Sequence, residues 1–247
     1  MDQSRRVALV ADASSYVGPA IAREFARRGH DLVLGSASAL LTGQLEQLGA
    51  TVVNIDGVRN LAKDGAANKL VDAGLERFGH LDAAVAASGR IVPGTFMSSS
   101  IEDLRTIVVG CLEGPYNFLR AVAAPMIERR CGQIVLITSA AGARPTPGAA
   151  LYSSVRAGAT MMARNLAGEI ASTGVQVNAL GTNFMDFPEF HAANGTNDPD
   201  KRARLEAMVP MKRMGTMEEF ASFAMAFLDG SSGFTTGQFV AYAGGWV

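Results

Sequence analysis

The chain predicts an α/β protein: a doubly wound, seven-stranded parallel sheet flanked by helices on both faces. Three observations carry this. Seven short runs are almost wholly apolar, helical patterns separate them, and glycines close several of those helices. The runs lie at residues 7–11, 31–34, 51–55, 81–86, 133–137, 175–180 and 238–241. Apolar character without polar alternation is what strands covered on both faces require. Helical patterns at 18–28, 63–78 and 150–173 end at Gly29, Gly79 and Gly174, where a residue lacking Cβ takes the left-handed turn that stops a helix. A further helical stretch covers 101–130. No linker, repeat or low-complexity block interrupts the alternation, so one domain over 1–247 is expected.

Composition narrows the function classes. Lys and Arg number 22 against 23 Asp and Glu, a net charge of −1 with 48% hydrophobic residues, which excludes a broad cationic face and makes nucleic acid an unfavoured partner. The apolar run after Arg5 and Arg6 is cut at Asp12, too soon for an export signal, and no window is apolar over the ~18 residues a span needs. The expectation is a cytoplasmic protein with no membrane partner. Cys111 and Cys131 form no metal-spaced pair and read as buried free thiols. His30, His80 and His191 are scattered; the first two read as turn residues, and no metal site is expected.

In a doubly wound sheet the first strand-to-helix turn normally carries spaced glycines that let a dinucleotide's pyrophosphate reach the helix N-terminus. Here it reads Ala11-Asp12-Ala13-Ser14-Ser15-Tyr16-Val17-Gly18. Only Gly18 remains, in the position that serves helix-to-strand packing. Tyr16 places a ring where phosphate needs room, and Asp12 adds negative charge. The second strand ends in Leu34-Gly35-Ser36, with no acid for a ribose. No cofactor is expected. Residues 181–200 carry Pro188, Asn194-Gly195 and Asp198-Pro199 among Phe184, Phe187 and Phe190, and read as a long loop forming a lid over a substrate pocket.

After the fifth strand comes Ser139, then a Gly- and Pro-rich loop, then Tyr152 and Arg156 opening a helix. Four apart, Tyr152 and Arg156 share one helix face, and Ser139 ends a central strand where such sheets bind ligands. Along essentially its whole length the chain resembles the short-chain dehydrogenase/reductase superfamily, whose Rossmann-like fold carries serine, tyrosine and, four residues on, lysine. Arginine stands here in place of that lysine. The superfamily's Asn-Asn-Ala-Gly is Ala86-Ala87-Ser88-Gly89, and its helix asparagine is Cys111. The combination is similar to the halohydrin dehalogenases, which use serine, tyrosine and arginine without nicotinamide. Ser139, Tyr152 and Arg156 match their spacing; Tyr16 and Gly18 match their loop pattern, with Ala11 where its threonine belongs.

That resemblance implies conversion of a vicinal halohydrin to an epoxide plus halide, and reverse opening of epoxides by azide, cyanide or nitrite. Tyr152 would be the base, Ser139 would orient the substrate oxygen, and Arg156 would lower the tyrosine pKa. A permanent cation roughly 4 Å from a phenolate is worth up to ~4 kcal/mol at an effective dielectric of ~20. The turn Thr182-Asn183-Phe184-Met185, with Tyr16, is the expected halide site, and Ser88, Phe187, Phe190 and Trp246 the expected substrate pocket. Relatives assemble as homotetramers, here through 101–130 and 150–173. Two competing readings stand: a divergent NAD(P)-dependent short-chain oxidoreductase in which Arg156 replaces lysine, and a non-catalytic sensor or scaffold on the same fold.

Overall fold

A computed structural model of the chain describes residues 5–87, 89 and 94–246. Strands β1 (Val7–Val10), β2 (Asp31–Gly35), β3 (Val52–Ile55), β4 (Ala83–Ala87), β5 (Gly132–Ser139), β6 (Val175–Thr182) and β7 (Phe239–Tyr242) form one sheet, ordered β3-β2-β1-β4-β5-β6-β7. Every pairing is parallel. The order reverses between β1 and β4, so the crevice for a ligand opens beyond their carboxyl ends.

Helices α1 (Gly18–Arg27), α2 (Ala39–Gln47), α3 (Ala66–Phe78), α4 (Ile101–Val108), α5 (Gly114–Arg129), α6 (Ala150–Ile170), α7 (Pro188–Asn194), α8 (Pro199–Met208) and α9 (Met217–Ala224) complete the architecture. Leu70, Phe118, Met126 and Ala163 cover one face of the sheet, and Ile21, Phe25, Leu45 and Phe220 the other. This two-sided burial explains why the strands carry no polar alternation. Ala159, Ala163 and Ala167, spaced four apart on α6, are fully buried within the chain. Their small side chains bring the helix close to the sheet it follows. Among the described residues no helix is long and apolar enough to cross a membrane, and no cluster of potential metal ligands occurs.

Residues 101–129 run as one continuous helix, as expected, with a π-helical segment at Val109–Glu113 between α4 and α5. Pro115 lacks the N–H that would bond the carbonyl four residues back, at Cys111. Two sequence expectations are corrected. Residues 181–200 are not a loop, since β6 runs to Thr182 and two helices follow. Pro188 and Pro199 occupy first-turn helical positions, where their missing N–H costs nothing, and the Asp198 side chain caps Asp200 and Lys201. Cys131 is exposed, while Cys111 is buried as expected.

Candidate active site

The site is assembled by the lengths of β5 and β6. Both run to the same level, so Ser139 and Thr182 are partners across the pair. Ser139 Oγ accepts from the Ala141 amide at 3.2 Å and donates to the Thr182 carbonyl at 3.4 Å. The following turn lies against α6. A Cβ on Gly142 would sit 2.8 Å from the Ala157 nitrogen and 2.9 Å from the Arg156 carbonyl carbon. That close approach, open only to glycine, brings Ser139 beside the first turns of α6.

From α6, Arg156 Nε donates to the Tyr152 hydroxyl at 3.1 Å, with the guanidinium carbon 5.3 Å from the ring centroid. Arg156 is buried at 7% exposure and Tyr152 half-buried. The pair therefore works in a less screened setting than a surface ion pair.

Tyr16 enters from the opposite side. Its backbone is left-handed, at φ +51°, and its hydroxyl lies 2.5 Å from Thr182 Oγ1, either group donating. Its ring centroid is 4.8 Å from that of Phe187. Burial pushes the Tyr16 phenol up to about 12, against the pull of the Thr182 hydrogen bond; Tyr152 raises it further and Arg156 lowers it. A phenol releasing its proton near pH 10 unfolded and near 12 folded contributes stability that is intact below pH 10 and lost as pH rises to 12. Tyr16→Phe is expected to flatten the fall in melting temperature over that window; an unchanged fall would contradict this assignment.

Beyond Thr182 the chain turns at Asn183 and Phe184, the latter at φ +50°. Met185 bridges to Gly215: the Gly215 amide donates to the Phe184 carbonyl at 3.1 Å, and the Asp186 amide to the Gly215 carbonyl at 2.8 Å. The amides of Asn183, Phe184 and Met185 donate to no acceptor among the described residues. Successive undirected N–H groups around a left-handed residue form an anion-accepting concavity. The turn lines a cavity of about 350 Å³, together with Met211, Arg213 and Gly244.

Phe187 packs tilted against Tyr16, and Phe190 lies 5.8 Å from Phe187. Trp246 meets Phe184 edge to face at 5.5 Å and carries the Arg144 guanidinium 4.7 Å above its ring. Ser88 lies outside the described residues. Sequence reasoning misses the anchor beneath this aromatic cover. Asp186 accepts from Arg202 at 2.6 Å and pairs with His191 Nε2 at 2.7 Å, while His191 Nδ1 meets Thr196 Oγ1 at 2.7 Å. These links hold the Asp186 carboxyl below its ordinary range, although burial pushes it the other way. No spacing motif announces them, because the turn at Asp186, α7 and α8 meet only in the fold.

The loop after β1 does not fit a dinucleotide. Asp12 Oδ1 accepts from the Ser14 amide at 2.8 Å and the Ser14 hydroxyl at 2.5 Å, and Oδ2 from the Ser15 hydroxyl at 3.3 Å. A carboxylate thus takes up the Ser14 and Ser15 donors of the loop, ahead of the helix N-terminus at Gly18. What persists at the switch point is a cavity of about 530 Å³ lined by Asp12, Arg59, Ala87, Gly89 and Arg105, without Ser139 or Tyr152.

Residues 10–247 match the family model described as enoyl-(acyl carrier protein) reductase. A 3-oxoacyl-[acyl-carrier-protein] reductase of Chlamydia muridarum is 29% identical, over 97% of this chain and 96% of its own length. The enzyme of the same name from Thermotoga maritima is 27% identical, over 98% of each. Among solved structures, ElxO with NADP bound superposes at TM-score 0.88, with 18% identity over 98% of this chain and 99% of that one. Levodione reductase also gives 0.88, at 23% identity over 97% and 96%. These structures bear out the expected fold. The relatives' names are those of reductases, which favours the oxidoreductase alternative over dehalogenation. The chain belongs to the enoyl-(acyl carrier protein) reductase family, within the short-chain dehydrogenase/reductase superfamily.

Proposed function

We propose that the chain is a nicotinamide-independent halohydrin dehalogenase, acting on small vicinal haloalcohols and, in reverse, opening epoxides with small anions. The observation that carries this reading is the Tyr16–Thr182 hydrogen bond, which fixes an aromatic ring in the turn where a dinucleotide-binding loop keeps small residues. The Arg156–Tyr152 contact supports it, since a fixed guanidinium stabilises the charge that develops on the phenol oxygen as its proton leaves. In the proposed step, Tyr152 takes the hydroxyl proton of the substrate while Ser139 donates to the same oxygen. The alkoxide pair then forms the new C–O bond at the neighbouring carbon, and the C–halogen pair leaves as halide. The undirected amides of Asn183, Phe184 and Met185, with Tyr16, receive that anion. Phe187, Phe190 and Trp246 wall the substrate, a homotetramer is the proposed assembly, and the cytoplasm the proposed location.

The names of the relatives favour a second reading, reduction of a carbonyl with NAD(P)H in the 530 Å³ cavity. Product analysis separates the two. Epoxide formed from a vicinal bromo-alcohol, and azido-alcohol formed from that epoxide with azide, are expected. Neither product, with NADPH consumed on a 3-oxoacyl thioester, would establish the second.

A further inference from the structure

We infer that Gly89 is a positioning residue: its missing side chain is the seat of the Arg156 guanidinium, and so sets the contact between Arg156 and Tyr152. A Cβ on Gly89 would stand 2.9 Å from both the Arg156 guanidinium carbon and one terminal nitrogen, and 3.0 Å from Cys111 Sγ. Real Cβ atoms are not found that near to other heavy atoms, so the guanidinium has to move if the atom is added. All three atoms are side-chain ends, so it is the guanidinium and not the backbone that gives way. Arg156 is buried, and Cys111 is fully buried in the cluster of Ile107 and Val155, which also carries Tyr152. The π-turn at Val109–Glu113 is what delivers Cys111 to this position, as the far wall of the seat.

The geometry gives a reason why arginine works in this chain. A side chain at 156 that ends in a planar fork needs space beyond its Nε; Gly89, shared with the lysine-bearing pattern, and the small thiol of Cys111, which replaces its asparagine, leave that space. Displacing the fork pulls Nε off the Tyr152 hydroxyl, 3.1 Å away, while leaving Ser139 and the 182–185 turn in place. The effect on turnover rests on the reading proposed above; the seat itself does not.

A double-mutant cycle between Gly89→Ala and Arg156→Met tests it, with the melting temperature of the full chain as the primary readout. Methionine lacks every atom beyond Nε that the new Cβ would strike. Gly89→Ala is expected to lower the melting temperature by about 2–4 °C more when Arg156 is present than in the Arg156→Met chain. The loss shared by both backgrounds is backbone strain, since Gly89 has φ +134°. Equal losses in both backgrounds, or failure to fold in both, would overturn the seat; folding only in the Arg156→Met background would support it. Where the native chain releases bromide, Gly89→Ala is expected to lower kcat about 100-fold with KM changed by less than about threefold. A KM-only effect would also overturn the inference. A native chain that releases no bromide would defeat the proposed function while the melting cycle still decides the seat.

Discussion

Tyr152→Phe is expected to leave the protein folded and to slow halide release by about 1,000-fold or more. The variant removes one oxygen, the one that Arg156 Nε donates to and that would receive the substrate proton. General-base catalysis is typically worth about 100- to 10,000-fold, and a 1,000-fold loss corresponds to roughly 4 kcal/mol of transition-state stabilisation. The folding cost is far smaller. One hydrogen bond on a half-buried group is worth about 1 kcal/mol, or roughly 2–4 °C in melting temperature for a chain of this size. Tyr116→Phe is the matched control, because Tyr116 is half exposed on α5, away from the site. Tyr152→Phe retaining more than about a tenth of native turnover would show that the base lies elsewhere.

Gly18→Ala is expected to have the largest effect on stability. Gly18 opens α1, and a Cβ there would overlap the carbonyl oxygen of Asp12 and stand 3.1 Å from Ala13 Cα. All of these are backbone atoms in a buried turn, so no side chain can swing aside. Overpacking of this kind costs about 3 kcal/mol or more, a loss of about 6–12 °C. The same turn holds Tyr16 in its left-handed conformation, so the variant is also expected to disturb the Tyr16–Thr182 hydrogen bond. Gly43→Ala supplies the contrast. Gly43 lies inside α2 with nothing near its Cβ position, and alanine there is expected to raise stability by about 0.5–1 kcal/mol. Thermal melts compare the two directly, and equal shifts would contradict the close packing at Gly18.

Both predictions draw on features of unequal legibility. The strands are readable because each is buried on both faces, and the reading of Gly18 as a packing residue follows from its place in the first turn. Tyr152 and Arg156 are readable because a helix brings residues four apart together. Helix starts and π-helical turns are less so. Pro188 and Pro199 look like loop residues until their first-turn positions are seen, and the π-turn before Pro115 has no mark other than the proline itself. The contacts that tune the site are not local at all. Gly142 against α6, Gly89 against Arg156, and Asp186 between His191 and Arg202 join segments far apart in the chain or in different elements. The relatives carry the names of reductases, whereas this chain has arginine where the superfamily has lysine and Tyr16 in the loop after β1.

The central claim is that this site acts without nicotinamide, and bromide release is its most direct measure. The purified chain, stripped of nucleotide, is given a simple vicinal bromo-alcohol, and free bromide is followed with and without added NADPH. Catalytic bromide release at the same rate in both samples is predicted. No release in either, from a folded protein, or release only when NADPH is present, would contradict it.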